Sequence, residues 1–203
     1  IFDRARLTNG GPENDKLEAQ LRLHFGTDNT ALFSNGSLAL EAALTVPQLE
    51  GEVITTPFSY VATANAITRC GLTPVFVDVE PDTLTLDPDA VASAITPRTS
   101  AILAVHVFGA CCRHEDLALL SERQGLSLIY DAAHAFDVKR GDKSIGLLGD
   151  VAMFSLHATK PIQAVEGGVL TFGDSSLRER IIRFANHGLA PDDPATDDLA
   201  TNA

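Results

Sequence analysis

An α/β fold, with a mostly parallel, mixed sheet between helices, is predicted for this chain by three observations. Short apolar runs alternate with helical stretches along almost its whole length. Most of those runs are too uniformly apolar to be half-exposed strands. Strand–helix alternation of this kind implies a sheet covered on both faces, with ligands at the carboxyl ends of its strands. At 203 residues, 45% of them hydrophobic, the chain is long enough to bury one substantial core.

The elements follow in order. In "NDKLEAQLRLHFG" (14–26), Leu17, Leu21 and Phe25 recur at helical spacing, Asn14 or Asp15 is expected to cap the start, and Gly26 to close the end. Strands are expected at "TALF" (30–33), "EVITT" (52–56), "PVFVDV" (74–79), "SAILAVHV" (100–107), "LSLIYD" (126–131), "VAMFSL" (151–156) and "GGVLTF" (167–172). Between them, "SLALEAAL" (37–44), "YVATANAITRC" (60–70), "DPDAVASAI" (87–95) and "RHEDLALLSERQG" (113–125) read as helices. Residues 189–203, "LAPDDPATDDLATNA", are rich in Pro, Asp, Ala and Thr without apolar periodicity, and read as a loop or disordered tail.

A net charge of −12 argues against a general nucleic-acid or anionic-membrane binder, since both need a basic face. It leaves room for a small anion where positive groups are concentrated. Cys70, Cys111 and Cys112 show neither zinc-ligand spacing nor a disulfide framework, and read as idle thiols in a reducing compartment. No apolar run approaches membrane-spanning length and the opening "IFDRARLTNGG" is not a signal peptide, so the cytoplasm is expected.

Three stretches carry candidate chemistry. In "FSNGSLALEAAL" a strand ends at Phe33 and a helix follows a small polar turn. The helix-terminal amides and the Ser37 hydroxyl suit a phosphate, and an ordinary N-cap explains the turn equally well. In "LIYDAAHAF", Asp131 closes a hydrophobic strand, where a carboxylate needs a cation, and His134 lies on the same side if the chain turns helical. Half a hydrolytic triad, a metal pair or a structural cap would also use Asp131 and His134, but no G-x-S-x-G or H-E-x-x-H accompanies them. In "FSLHATKPIQAVEGG", Lys160 follows a strand beside the hydroxyls of Ser155 and Thr159, a setting that suits a Schiff-base lysine. A carboxylate for a pyridinium nitrogen, a lysine for an aldehyde and a helix start for a phosphate are together what pyridoxal phosphate requires. Tyr60, after the strand at 52–56, either stacks on a flat ring or packs in the core. No G-x-G-x-x-G turn follows a strand, which disfavours a nicotinamide dehydrogenase.

On "LTNGGPENDKLEAQL", "FSNGSLALEAAL", "VITTPFSYVATANAI", "YDAAHAF", "GDVAMFSLHATKPIQAVEGG" and "FANHG", the chain resembles the DegT/DnrJ/EryC1/StrS sugar aminotransferases, a branch of the fold-type-I pyridoxal phosphate enzymes. The form "HATK" with "EGG" is similar to members that aminate nucleotide-linked keto-deoxyhexoses. The resemblance implies that residues 1–188 are a cofactor-binding large domain, and that 189–203 begins a C-terminal part cut short before a smaller domain. It makes Lys160 the lysine that bonds the cofactor aldehyde and Asp131 the partner of the ring nitrogen. His134 falls near the phenolic oxygen, Tyr60 on the ring, and Gly36, Ser37 and Ser155 at the phosphate; Glu166, Gly167 and Gly168 shape the loop beyond the lysine. It further implies transfer of an amino group, usually from glutamate, to a keto sugar, and a homodimer in the full-length enzyme. His106 and Arg183 are the nearby candidates for nucleotide phosphates, with a structural role the stronger expectation for each. Two other readings stand beside this one: a lyase or a desulfurase on the same fold, for which Cys111 and Cys112 are the available thiols, and a shortened domain that folds, dimerises or binds cofactor without turnover.

Overall fold

The computed structural model describes residues 10–189. Helix α1 (Pro12–Phe25) starts two residues before the expected cap. Gly11 is its N-cap, with no side-chain bond, because Pro12 has its φ preset for a first helical turn and no N–H to satisfy. Gly26 ends it in the left-handed conformation, as expected. The remaining helices are α2 (Gly36–Thr45), α3 (Val61–Arg69), α4 (Pro88–Ala94), α5 (His114–Gln124) and α6 (Arg178–Ala185), the last of which has no counterpart in the sequence reading.

The strands are β1 (Thr30–Phe33), β2 (Glu52–Thr55), β3 (Thr73–Phe76), β4 (Thr99–Val105), β5 (Ser127–Asp131), a small exposed hairpin β6 (Lys139–Arg140) and β7 (Lys143–Ser144), β8 (Val151–Ser155) and β9 (Gly168–Phe172). Seven of them form one sheet in the order β1-β9-β8-β5-β4-β2-β3. Only β9 is inverted, running antiparallel to both β1 and β8. The predicted α/β class is therefore the observed one. β3 departs from its expected 74–79: it is shorter, sits at the sheet edge, and is half-exposed because it has a partner on one side only.

Period-two alternation sorts the strand side chains between two helical layers. Ala101, Leu103, Ile129, Val151 and Met153 pack with α2, α3 and Ile181 of α6. Ile102, Ala104, Leu128, Tyr130, Ala152 and Phe154 face the opposite way, toward Leu21 and Phe25 of α1, Val91 of α4 and Leu117 of α5. The expected tail at 189–203 lies, beyond Leu189, outside the described residues. Among the described residues no helix is long and apolar enough to cross a membrane.

Candidate active site

The carboxyl ends of β1, β2, β4, β5 and β8 open into a cleft of about 1090 Å³. Gly36, Ser37, Tyr60, Asp131, His134, Ser155 and Lys160 all line it. Residues that the sequence scatters over 125 positions are thus gathered at one end of the sheet, where parallel strands leave their following loops.

One wall is the start of α2. Asn35 is extended and its side chain accepts from the Leu38 amide at 2.8 Å. That cap leaves the amides of Gly36 and Ser37, which have no helical turn behind them to bond. The helix start is wedged in place: a Cβ on Gly36 would lie 3.2 Å from Met153 Sδ and 3.4 Å from Ser155 Cβ. A Cβ on Gly168 would lie only 2.4 Å from the Asn35 carbonyl oxygen. The Ser155 hydroxyl accepts from the His157 amide at 3.3 Å. The wall combines helix-terminal amides with the hydroxyls of Ser37 and Ser155, a donor set suited to a phosphate. The cap and phosphate readings of this turn are compatible, since they use different amides.

A second wall is Asp131. It has the same parity as Ile129, so its side chain points to the layer of α2 and α3. It is 5% exposed. One carboxylate oxygen accepts from the Ala133 amide at 3.0 Å and the other from the Thr63 hydroxyl at 2.8 Å. Burial pushes the carboxyl above its ordinary range, opposed by those two bonds and by the charges of His134 and Lys160. The chain after Asp131 forms a tight turn and not a helix, so the helical route to His134 is not the one taken: Ala135 N–H bonds the Ala132 carbonyl at 2.9 Å. The turn still delivers His134 to the cleft.

The third wall is the β8–β9 connection. Backbone bonds from Leu156 to Gly167, Ala158 to Val165 and Ala164 to Leu156 zip its base like a hairpin, and the half-buried Lys160 rides near its tip. Burial and, after it, the Lys160 charge depress the basicity of His134, and the same charge helps hold Asp131 ionised, which places all three within one electrostatic neighbourhood. Glu166, expected only to shape this loop, meets His157 at 3.4 Å across the zipped base. His134 Nδ1 accepts from the Phe108 amide at 3.3 Å, so the neutral ring carries its proton on Nε2. Phe108 stacks parallel to it at 5.8 Å from a left-handed φ of 51°, a strained conformation for an aromatic residue.

Other candidates separate clearly. Tyr60 is 73% exposed at the N-cap of α3, which rules out core packing and leaves its ring open to the cleft. His106 is buried and stacked on Tyr130 at 4.4 Å; its Nδ1 accepts from the Cys112 amide at 3.1 Å. Desolvation lowers it to about 3, so it is neutral and unsuited to a phosphate. Arg183 pairs with Glu179 at 2.9 Å along α6 and does not line the cleft. Cys112 is buried, donates to the Val105 carbonyl at 3.2 Å and is held protonated by desolvation, and neither it nor Cys111 lines the cleft. Nothing there supports a desulfurase. Among the described residues no group of three or more His, Cys, Asp or Glu is placed to hold a metal ion. The sequence reading missed Thr63, Ser59 and Phe108, whose contacts depend on strand parity and on a backbone turn.

The architecture is that of the fold-type-I aminotransferases. The structure of DesI in the presence of its TDP-sugar product superposes with a TM-score of 0.89 at 39% identity, over 96% of this chain and 49% of that one. NtdA from Bacillus subtilis, solved with bound cofactor PMP, gives 0.88 at 27% identity, over 95% and 44%. More narrowly, the chain belongs to the DegT/DnrJ/EryC1/StrS aminotransferase family, whose model it matches over residues 1–202. It is 43% identical over 188 residues to dTDP-4-amino-4,6-dideoxy-D-glucose transaminase of Shigella dysenteriae, covering 93% of this chain and 51% of that protein. The chain therefore spans about half the length of the relatives it matches.

Proposed function

We propose that the chain is the cofactor-binding large domain of a pyridoxal phosphate-dependent aminotransferase that moves an amino group from an amino acid, glutamate by the family resemblance, to a nucleotide-linked keto-deoxysugar. The observation that carries this reading is the convergence of a buried carboxylate, a lysine and a helix start on one cleft. The cofactor fits these residues on three counts. The α2 start and Ser155 form a cradle that even a methyl group on Gly36 would crowd. Asp131 uses one bond per oxygen on its protein side and retains acceptor capacity toward the cleft. Two cationic side chains, Lys160 and Arg69, line the cleft of a chain whose net charge is −12.

Pyridoxal phosphate, when bound, supplies an aldehyde that captures amines and a ring that accepts the electron pair of a breaking C–H bond. Lys160 is the residue to hold the aldehyde carbon; its freed amine is the base that takes a proton from the substrate carbon and returns it. Asp131 is the carboxylate to balance a positive ring nitrogen. His134, with its proton on Nε2, is the donor for a phenolic oxygen. Gly36, Ser37 and Ser155 hold the phosphate, and exposed Tyr60 covers the ring.

The sugar-nucleotide class is supported by the transaminase and DesI relatives. Phe58, Tyr60 and Phe108, exposed at the mouth of the cleft, suit coverage by a second copy, which supports a homodimer for the full-length enzyme. The cytoplasm is the compartment we infer, in keeping with free cysteines. The test is an absorbance titration with pyridoxal phosphate before and after borohydride. A near-visible band that borohydride fixes on Lys160, and that Lys160→Ala lacks, is expected. Absence of the band in both this chain and a full-length enzyme refutes the assignment. Turnover of an amino donor with a keto-deoxysugar nucleotide then separates the transferase from a domain that only binds cofactor.

A further inference from the structure

Asp131 is reached from α3 by a chain of two hydroxyls. Ser59 Oγ lies 2.6 Å from Thr63 Oγ1, which lies 2.8 Å from Asp131 Oδ2. A hydroxyl has one proton to give. Thr63 donates it to the carboxylate, so the Ser59 contact runs the other way, with Ser59 donating to Thr63. The chain is polarised from end to end toward Asp131. A second threonine on the same helix shows what Thr63 forgoes: Thr68 turns its hydroxyl back to the helix carbonyls of Ala64 and Asn65, at 3.4 and 3.0 Å. Thr63 instead spends its proton across the layer, although it is 1% exposed and its neighbours Ala66 and Ile67 belong to the apolar core.

We propose that Ser59 and Thr63 are positioning residues, a polarised hydroxyl pair that aims Asp131 into the cleft and holds it as a carboxylate. The proposal rests on reading Asp131 as the partner of a ring nitrogen. The groups facing Asp131 are few. His134 comes from the turn that follows it and Lys160 from the β8–β9 loop. From the end of β4, His106 contributes only its backbone amide, bonded to the Asp131 carbonyl at 2.9 Å, while its ring stacks on Tyr130 on the other side. Burial raises the carboxyl and the hydroxyl bond opposes it, so removing that bond moves the titration of Asp131 further up. The sign follows for the cofactor: a ring nitrogen meets an ionised partner over a narrower range, and affinity is lost at a higher pH as the solution is acidified.

The experiment follows the Asp131 side-chain carboxyl by carbon-13 NMR across pH in the cofactor-free chain, assigned by its absence in Asp131→Asn. Thr63→Val is expected to raise its proton affinity about tenfold or more, the scale of a hydrogen bond to a charged group. Ser59→Ala gives a smaller rise, and Thr63→Ser restores the wild-type curve. Pyridoxal phosphate affinity at neutral pH weakens in the same order. A titration of Asp131 that is unchanged in folded Thr63→Val, or shifted equally by Thr63→Ser, overturns the proposal. If Thr63→Val does not fold, an unchanged curve in Ser59→Ala overturns it instead. Should Asp131 respond as expected while the wild-type chain fixes no cofactor on Lys160, the functional reading falls and the hydroxyl pair stands.

Discussion

Gly168→Ala tests whether the packing of one backbone atom governs the site. The added Cβ would sit 2.4 Å from the Asn35 carbonyl oxygen, 2.6 Å from its carbon and 2.9 Å from the Gly36 nitrogen, where ordinary contact begins near 3.4 Å. The mismatch is therefore about 1 Å against backbone, which has no rotamer to retreat into. β9 cannot withdraw, because Gly168 is in register with Phe33 on one side and Ser155 on the other. The start of α2 must move, at an overpacking cost of about 1–3 kcal/mol. With a urea slope of about 1–3 kcal/mol/M, the unfolding midpoint falls by on the order of 1 M. The displaced amides of Gly36 and Ser37 also weaken pyridoxal phosphate binding, by about tenfold for each 1.4 kcal/mol lost. Gly173→Ala is the control, since the atom nearest to its added Cβ, the Asp150 carbonyl oxygen, lies 3.9 Å away in ordinary contact. A Gly168→Ala chain with the midpoint and cofactor affinity of Gly173→Ala would refute the wedge.

Three further outcomes are expected. Asn35→Ala removes the cap on α2 and costs about 1 kcal/mol, a fall of about 2–4 °C in Tm for a chain of this size, while Asn35→Asp keeps most of it; equal melting of the two would refute the cap. Tyr60→Ala, at a 73% exposed position, leaves urea stability within about 0.5 kcal/mol but weakens cofactor binding several-fold; loss of stability without loss of binding would return Tyr60 to a packing role. His106, lowered from 6.5 to about 3 by burial, binds its proton only in the unfolded chain between those values. Its stabilising contribution is complete above pH 6.5 and is lost on acidification by up to about 1.4 kcal/mol per pH unit; His106→Gln should flatten stability against pH over that window, and an unchanged slope would sink the assignment.

Much of this architecture was legible because burial on both faces writes uniform apolar runs, and β4, β5, β8 and β9 show them. The cleft was legible where the sequence places a residue type that packing does not ask for: Asp131 at the end of an apolar strand and Lys160 among small residues, both of which line it. What stayed hidden depends on three-dimensional neighbours. The start of α1 was misplaced because Asn14 and Asp15 are better caps than Gly11, yet Pro12 fixes the first turn. β3 reads like a central strand and becomes an edge only through the sheet order. Thr63 looks like any helical threonine, and its bond to Asp131 exists because α3 covers the odd-numbered face of β5. Phe108 carries no local signal for its left-handed backbone.

The single inverted strand has a consequence for how the protein loses its site. Because β9 returns directly beside β8, the lysine loop and the wall that wedges α2 hang from one pair, Ser155 opposite Gly168. β1, beyond them, is an edge strand whose one partner in the sheet is β9. Fraying at that margin would unseat the helix start and slacken the lysine loop in one event, whereas Asp131, on β5 with β9 and β8 between it and the edge strand, would stay put. With the cofactor held as proposed, its phosphate and the lysine bonded to it would act as a clasp across the margin, coupling occupancy of the cleft to closure of the sheet edge.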